Sequence, residues 1–468
     1  MLFNSFAFIG LLLITMLVYY IPKTSKYQVN ILIISSLIFY SWHNISLLAL
    51  LILSAGINII TSYLVGLKKT NNPKVIAWIG ITSNLLILAF FKYSGLISLT
   101  FFIDSNLSHF LASIPLPIGI SFFTFQGISL VVDVYKENHF KNDKIISHSL
   151  YEYGKNILFF ISFFPQLVAG PIVKAHEFLP QIKSKRIRDI NWEKSFTEIV
   201  LGYFLKIVIA DNLKEFTFWI AYPYFQSIDS YSLIVMLFGF SFQIYADFAG
   251  YSLIAIGIAR LFGYNLNDNF NFPYISSSFK EFWKRWHISL SSFLQEYLYI
   301  PLGGNRKGKT RTYINLMITM ILGGLWHGAA WSYAIWGGFH GLALAIERLF
   351  MNVKIQQNQN LGIKIINTCF VFIMVSFAWL LFKLPEFNHV IKYIQSMYSN
   401  IYMSPNLGLI ASILIYSTPV ILHHLYYIYI SNFESVNLDK YKFIFYGILI
   451  FFIVTNSGIP GSFIYFQF

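Results

Sequence analysis

Residues Phe279 to Glu347 read FKEFWKRWHISLSSFLQEYLYIPLGGNRKGKTRTYINLMITMILGGLWHGAAWSYAIWGGFHGLALAIE. A charged amphipathic segment comes first, then a basic glycine-bearing turn, then a long apolar run that carries His327. The apolar run, Tyr313 to Ile346, is long enough to cross a bilayer, with room for a break near Gly323 and Gly324. An imidazole is costly to bury at that depth, so it is either well paired or functional. Whether this stretch lies in lipid depends on the rest of the chain.

Of the 468 residues, 56% are hydrophobic and 11% are charged. A soluble domain carries about 25% charged residues, so most of this chain sits in lipid. Apolar runs of spanning length recur throughout, and they predict about ten to twelve spanning or re-entrant helices. Continuous apolar runs, without strand-like alternation, exclude a β-barrel. The fold class is therefore all-α and polytopic, read as a single domain over residues 1–468. The net charge of +13 would suggest nucleic acid in a soluble protein. Here the basic residues lie mostly in short loops, where the positive-inside rule accounts for them, so no nucleic acid is expected. The lone Cys369 excludes an intrachain disulfide.

Taken in order, the first run, Phe6 to Tyr20, lacks a basic leader and a small-residue cleavage site and reads as a retained helix. Runs follow at Val29–Trp42, Ile45–Val65, Val75–Phe91 and Leu96–Leu111. Placing Lys23, Lys26, Lys68, Lys69 and Lys74 in the cytoplasm puts the N-terminus outside. The segment Pro115–Lys136 suits a kinked helix, and the polar loop Lys136–Lys144 is cytoplasmic. Pro165–Lys174, with two prolines and Gly170, cannot be a regular helix, so it must be buried in protein or line a wet cavity. Lys183, Lys185, Arg186 and Arg188 form a basic patch, an orientation signal or a landing surface for an anionic donor. Trp192–Tyr222 carries Lys206 and Asp211, and Tyr231–Phe262 carries Gln243, Tyr245 and Asp247. Three further runs, one ending in the interfacial pair His423 and His424, read as scaffold.

Phe279–Tyr299 reads as one amphipathic helix whose apolar stripe runs from Phe279 through Trp286 to Tyr297. Glu281 and Arg285 are spaced to pair, and His287 falls at the stripe's edge. The turn Pro301–Arg311 offers Arg306 and Lys307 to phosphate, without Walker spacing, or anchors at anionic lipid. Small residues flank His327, and a neutral imidazole there can serve as a general base for acyl transfer. No nucleophile elbow and no metal-ligand pattern accompanies it. His340, thirteen residues further on, can line the same cavity.

At these motifs the chain resembles the membrane-bound O-acyltransferase family, and within it the bacterial branch that O-acetylates alginate or peptidoglycan. The matching strings are PIGISFFTFQ, FFPQLVAGPIVK, GYFLKIVIADN, YADFAGYS, EFWKRWHISLS, YLYIPLGGNRKG and GGLWHGAAW, within a core of residues 115–348. It departs from the branch at Leu253 and Leu130, where an acidic residue and a tyrosine often stand.

The resemblance implies a helical fold around a central funnel, in the bacterial cytoplasmic membrane. It implies His327 as the catalytic histidine and His287 as a second motif histidine that lines, orients or binds. It also implies cavity roles for Trp326, Trp331, Asp247, Tyr245, Gln243 and Arg285. No cofactor or metal is expected. Acetyl-coenzyme A would be the donor substrate, an extracytoplasmic protein of SGNH type the partner, and a polysaccharide the acceptor. The alternatives are D-alanyl transfer to teichoic acid and a proton-coupled transporter or flippase using Asp247 and His327.

Overall fold

A computed structural model describes residues 1–42, 44–67, 72–101, 106–136, 149–167, 170–350, 360–432, 441–459, 461 and 463. Among them the regular elements are helical. Five helices are long and apolar enough to cross a membrane: Ser46–Gly66, Pro73–Ser98, Ser230–Leu261, Leu361–Lys383 and Leu407–Ile430. The bent pair Phe6–Tyr19 and Pro22–Ser41, angled by 105°, adds a sixth if it is one span. The remaining apolar runs form shorter or interrupted helices. The protein is thus an all-α, multi-pass membrane protein.

The chain forms two compact units, Met1–Ile199 with Ile254–Asn267, and Val200–Leu253 with Asp268–Phe468. In the first, the runs Val75–Phe91 and Leu96–Leu111 do not form two separate spans. One helix covers Pro73–Phe101, and a short helix Asn106–Ala112 follows. Nothing between Phe91 and Leu96 breaks it, because Lys92, Tyr93 and Ser94 are compatible with a helix and Gly95 alone is tolerated. Buried amides clamp this unit: Asn84 Nδ2 donates to Asn58 Oδ1 over 2.8 Å. Of Pro165–Lys174, Pro165 to Leu167 lie in a one-turn helix, Phe164–Leu167, while residues 170–174 are irregular and buried in protein. Most of the expected loop Lys136–Lys144, and Lys68 and Lys69, lie outside the described residues.

In the second unit, a π-helical turn Phe204–Ala210 leads into the helix Asp211–Thr217. The turn carries Lys206, whose Nζ lies 2.7 Å from Asp211 Oδ1 and 2.6 Å from Asp247 Oδ1. All three side chains are buried. A lone charge in a bilayer core costs about 2.5–3.5 kcal/mol on insertion scales, and pairing removes the reason for that cost.

Two expectations for the central stretch are corrected. Phe279–Tyr299 is not one helix. It is Phe279–Arg285, then Ile288–Leu294, then a π-helical turn Gln295–Tyr299. His287, at the break, takes left-handed backbone angles, φ 44° and ψ 56°. The apolar run does break, but not at Gly323 and Gly324. Those two lie within the helix Lys309–His327, and the chain turns at extended Gly328 before Trp331–Phe350. A Cβ on Gly324 would meet Tyr333 O at 2.2 Å, and one on Gly337 would meet Met320 O at 2.2 Å. The two helices are therefore in backbone contact, which only glycine permits at these points.

Candidate active site

His327 ends the helix Lys309–His327 and is 2% exposed. Its ring is boxed by aromatic rings. Trp326 lies at 5.1 Å, Trp336 at 5.2 Å and Phe382 at 5.4 Å between centroids. The His287 ring is 6.2 Å away. The break in the upstream helix is what turns His287 inward. Trp286 extends, His287 adopts the left-handed form, and its ring packs edge-on to Phe248 at 4.6 Å. His287 is therefore fully buried rather than at a helix edge. Asn269 holds it: the Asn269 Oδ1 is 3.0 Å from His287 Nδ1. The sequence reading missed Asn269, which lies eighteen residues upstream in an irregular segment.

A cavity of about 890 Å³ reaches His327. Trp283, Trp336, Leu290, Leu294, Leu316 and Met320 give it apolar walls, and Ser291, Ser292, Gln295 and Thr319 supply polar groups. Lys280, Lys284 and Arg348 also line it, and all three are exposed. Glu347 lies among them, but its carboxylate caps the helix at Phe279, accepting from the Phe279 N–H at 2.6 Å and from the Lys280 N–H. Burial raises the Glu347 pKa, while those N–H donors and the Lys280 charge pull it down. The rim is thus net positive. Along the helix Trp331–Phe350, Trp336 and Arg348 are twelve residues apart, about 18 Å at helical rise, so the cavity is deep.

The other expected site residues separate. Trp326 joins the centre, 6.0 Å from His287. Trp331 is 58% exposed at the start of its helix and does not line this cavity. Arg306 and Lys307 are exposed and stand outside this cavity, where Lys280, Lys284 and Arg348 provide the charge instead. Arg285 pairs with Glu281 at 3.0 Å, as its spacing predicts, and does not line the cavity. Gln243 accepts from Thr217 Oγ1, Tyr245 packs against Phe270, Tyr274 and His424, and Asp247 pairs with Lys206. These three lie outside the cavity walls. His340 is fully buried between Trp283, Trp336 and Phe339, behind the wall. His424 is buried too, not interfacial. No cluster of three or more His, Cys, Asp or Glu able to hold a metal occurs among the described residues.

The cavity thus joins a basic rim to the buried His327 ring, which the His287 ring adjoins from outside the cavity wall. The chain belongs to the membrane-bound O-acyltransferase family, whose sequence profile matches residues 76–385. It is an O-acyltransferase. It is 35% identical over 412 residues to the probable alginate O-acetylase of Pseudomonas putida, covering 85% of this chain and 80% of that one. It is also 35% identical over 395 residues to the peptidoglycan O-acetyltransferase of Helicobacter pylori, covering 78% and 73%. The teichoic acid D-alanyltransferase of Bacillus subtilis is less similar, 27% identical over 285 residues, covering 58% and 70%.

Proposed function

We propose that the chain moves acetyl from cytosolic acetyl-coenzyme A across the cytoplasmic membrane for O-acetylation of an extracytoplasmic polysaccharide of the alginate or peptidoglycan type. An extracytoplasmic partner of SGNH type would complete the transfer. The observation that carries this reading is the cavity itself, with Lys280, Lys284 and Arg348 at the rim and His327 deep inside. Phosphates on a donor meet the basic rim, while a slender thioester arm follows the apolar wall inward. The excess of basic residues around the rim, with Arg306, Lys307, Lys309 and Arg311 nearby in sequence, supports a cytosolic mouth.

Two routes use the same ring. In one, neutral His327 takes the proton of the acceptor hydroxyl as its oxygen attacks the thioester carbonyl. The C–S bond breaks, and the imidazolium returns the proton to the thiolate. In the other, the unprotonated ring nitrogen attacks the carbonyl and the thiolate leaves, and the acetyl then passes from nitrogen to the acceptor oxygen as the hydroxyl proton goes to the thiolate. Both need the uncharged imidazole. Two similar relatives are named as O-acetylating enzymes, which supports acetyl over D-alanyl. Asp247 is paired with Lys206 and lies outside the His327 cavity, which removes the main support for a proton-coupled transporter.

The test is His327→Ala, purified and shown to be folded by its melting temperature, in inside-out vesicles given radiolabelled acetyl-coenzyme A. The wild type should pass label to acceptor and the variant should not. Full transfer by the folded variant refutes the reading.

A further inference from the structure

We infer that Asn269 is a positioning residue that locks His287 in one tautomer, with the proton on Nδ1 and the lone pair on Nε2. The inference rests on the reading of His287 as part of the reacting centre. It begins with the orientation of the Asn269 amide. Its Oδ1 lies 3.4 Å from the backbone N–H of Ser289 and 2.9 Å from Ser289 Oγ. Its Nδ2 lies 3.1 Å from Ser252 Oγ. A backbone N–H can only donate, so the amide atom facing it is the oxygen. Turning the amide over would set an NH₂ group against an N–H.

That same oxygen lies 3.0 Å from His287 Nδ1. An amide oxygen carries no hydrogen, so the hydrogen between them belongs to Nδ1. Which ring nitrogen bears the proton is set by the bond the other nitrogen's neighbour imposes, and here it leaves Nε2 as the proton acceptor. The backbone reinforces the lock. The Ile288 N–H donates to Asn269 O over 2.9 Å, and the Asn271 N–H donates to Arg285 O over 2.9 Å. This grip on both sides of the break offsets the steric cost of a left-handed backbone at a non-glycine residue. An amide also orients the ring without the negative charge that would favour imidazolium. The lock therefore fixes which nitrogen of the neutral ring can take a proton during transfer.

The experiment uses the full chain labelled with ¹⁵N-histidine in detergent, with His287→Gln to assign the resonance. The wild-type His287 signal should show a protonated Nδ1 and a bare Nε2. Asn269→Leu should lose that pattern and lower kcat by about tenfold or more, as losing the partner that orients a metal-bound histidine does, with KM for acetyl-coenzyme A unchanged. Asn269→Asp keeps the acceptor oxygen, and so the proton on Nδ1, but its charge favours imidazolium, so Nε2 should also become protonated at a higher pH than in the wild type. A wild-type spectrum with the proton on Nε2 overturns the proposal even if Asn269→Leu does not fold. A folded Asn269→Leu with wild-type turnover overturns it as well. If His287→Gln retains full activity, the reading of His287 as part of the centre falls, while the spectrum still decides the lock.

Discussion

Two tryptophans flank His327, one residue before it and four after, yet only Trp326 belongs to the centre. Trp326 is 4% exposed and touches both histidine rings, while Trp331 is 58% exposed. Sequence spacing alone treats them as equivalent, because it does not show where the helix stops. Gly328, extended at φ −161° and ψ 159°, ends the helix one residue after His327 and carries Trp331 away. The histidines themselves were legible, since an imidazole in so apolar a run stands out. Trp331→Ala should leave stability within about 0.5 kcal/mol and turnover unchanged, as for most exposed positions. Trp326→Ala removes a buried indole, which costs about 3–5 kcal/mol, and should abolish acetyl transfer. Melting temperature and transfer rate on the same purified samples check both. Equal losses in the two variants would contradict the assignment.

At the scale of elements, helix-forming stretches and their order were readable, and their breaks were not. The apolar stripe of residues 279–299 keeps its period across the interruption at His287, so periodicity gave no sign of it. The break is a tertiary effect, imposed by Asn269 from a distant segment. The glycines of the apolar run were read as a weak point, whereas they are where two helices touch. A Cβ at Gly324 would come within 2.2 Å of a backbone oxygen and 3.0 Å of Gly337, and neither can give way as a flexible side chain would. Gly324→Val should therefore part the helices that carry His327 and Trp336, at a cost beyond the about 1–3 kcal/mol of ordinary overpacking. Gly338 lies on the same second helix with nothing within 4 Å of its Cβ position, so Gly338→Ala is the control and should be silent. Thermal unfolding and transfer activity of the two variants test the contact. A stable, active Gly324→Val would show that the helices do not rely on it.

For the whole molecule, charge is the most legible signal and also the most easily misassigned. The 11% charged fraction pointed to a membrane protein, and the net charge of +13 was then read as basic loops rather than a nucleic-acid surface. The sequence did not reveal which basic residues reach the histidine cavity. Arg306 and Lys307 sit beside glycines and look like a phosphate cradle, but Lys280 and Lys284 project from a helix that folding brings against Arg348. If that rim faces the cytosol and receives the donor, two measurements must agree. In a Cys369→Ser background, Lys284→Cys should react with an impermeant maleimide in inside-out vesicles and not in right-side-out ones, and acetyl-coenzyme A should protect it. The triple variant Lys280→Glu, Lys284→Glu and Arg348→Glu should raise KM for acetyl-coenzyme A about tenfold or more, since exposed charges contribute up to about 1 kcal/mol each and about 1.4 kcal/mol is tenfold. Its kcat should change little, because all three side chains are exposed at the rim while the His327 and His287 rings are buried. Added salt should narrow the gap, as it screens the wild-type attraction and the variant's repulsion alike. Labelling from the outer face, or an unchanged KM, would mean that the donor enters elsewhere and that the basic rim only anchors the protein at the lipid surface.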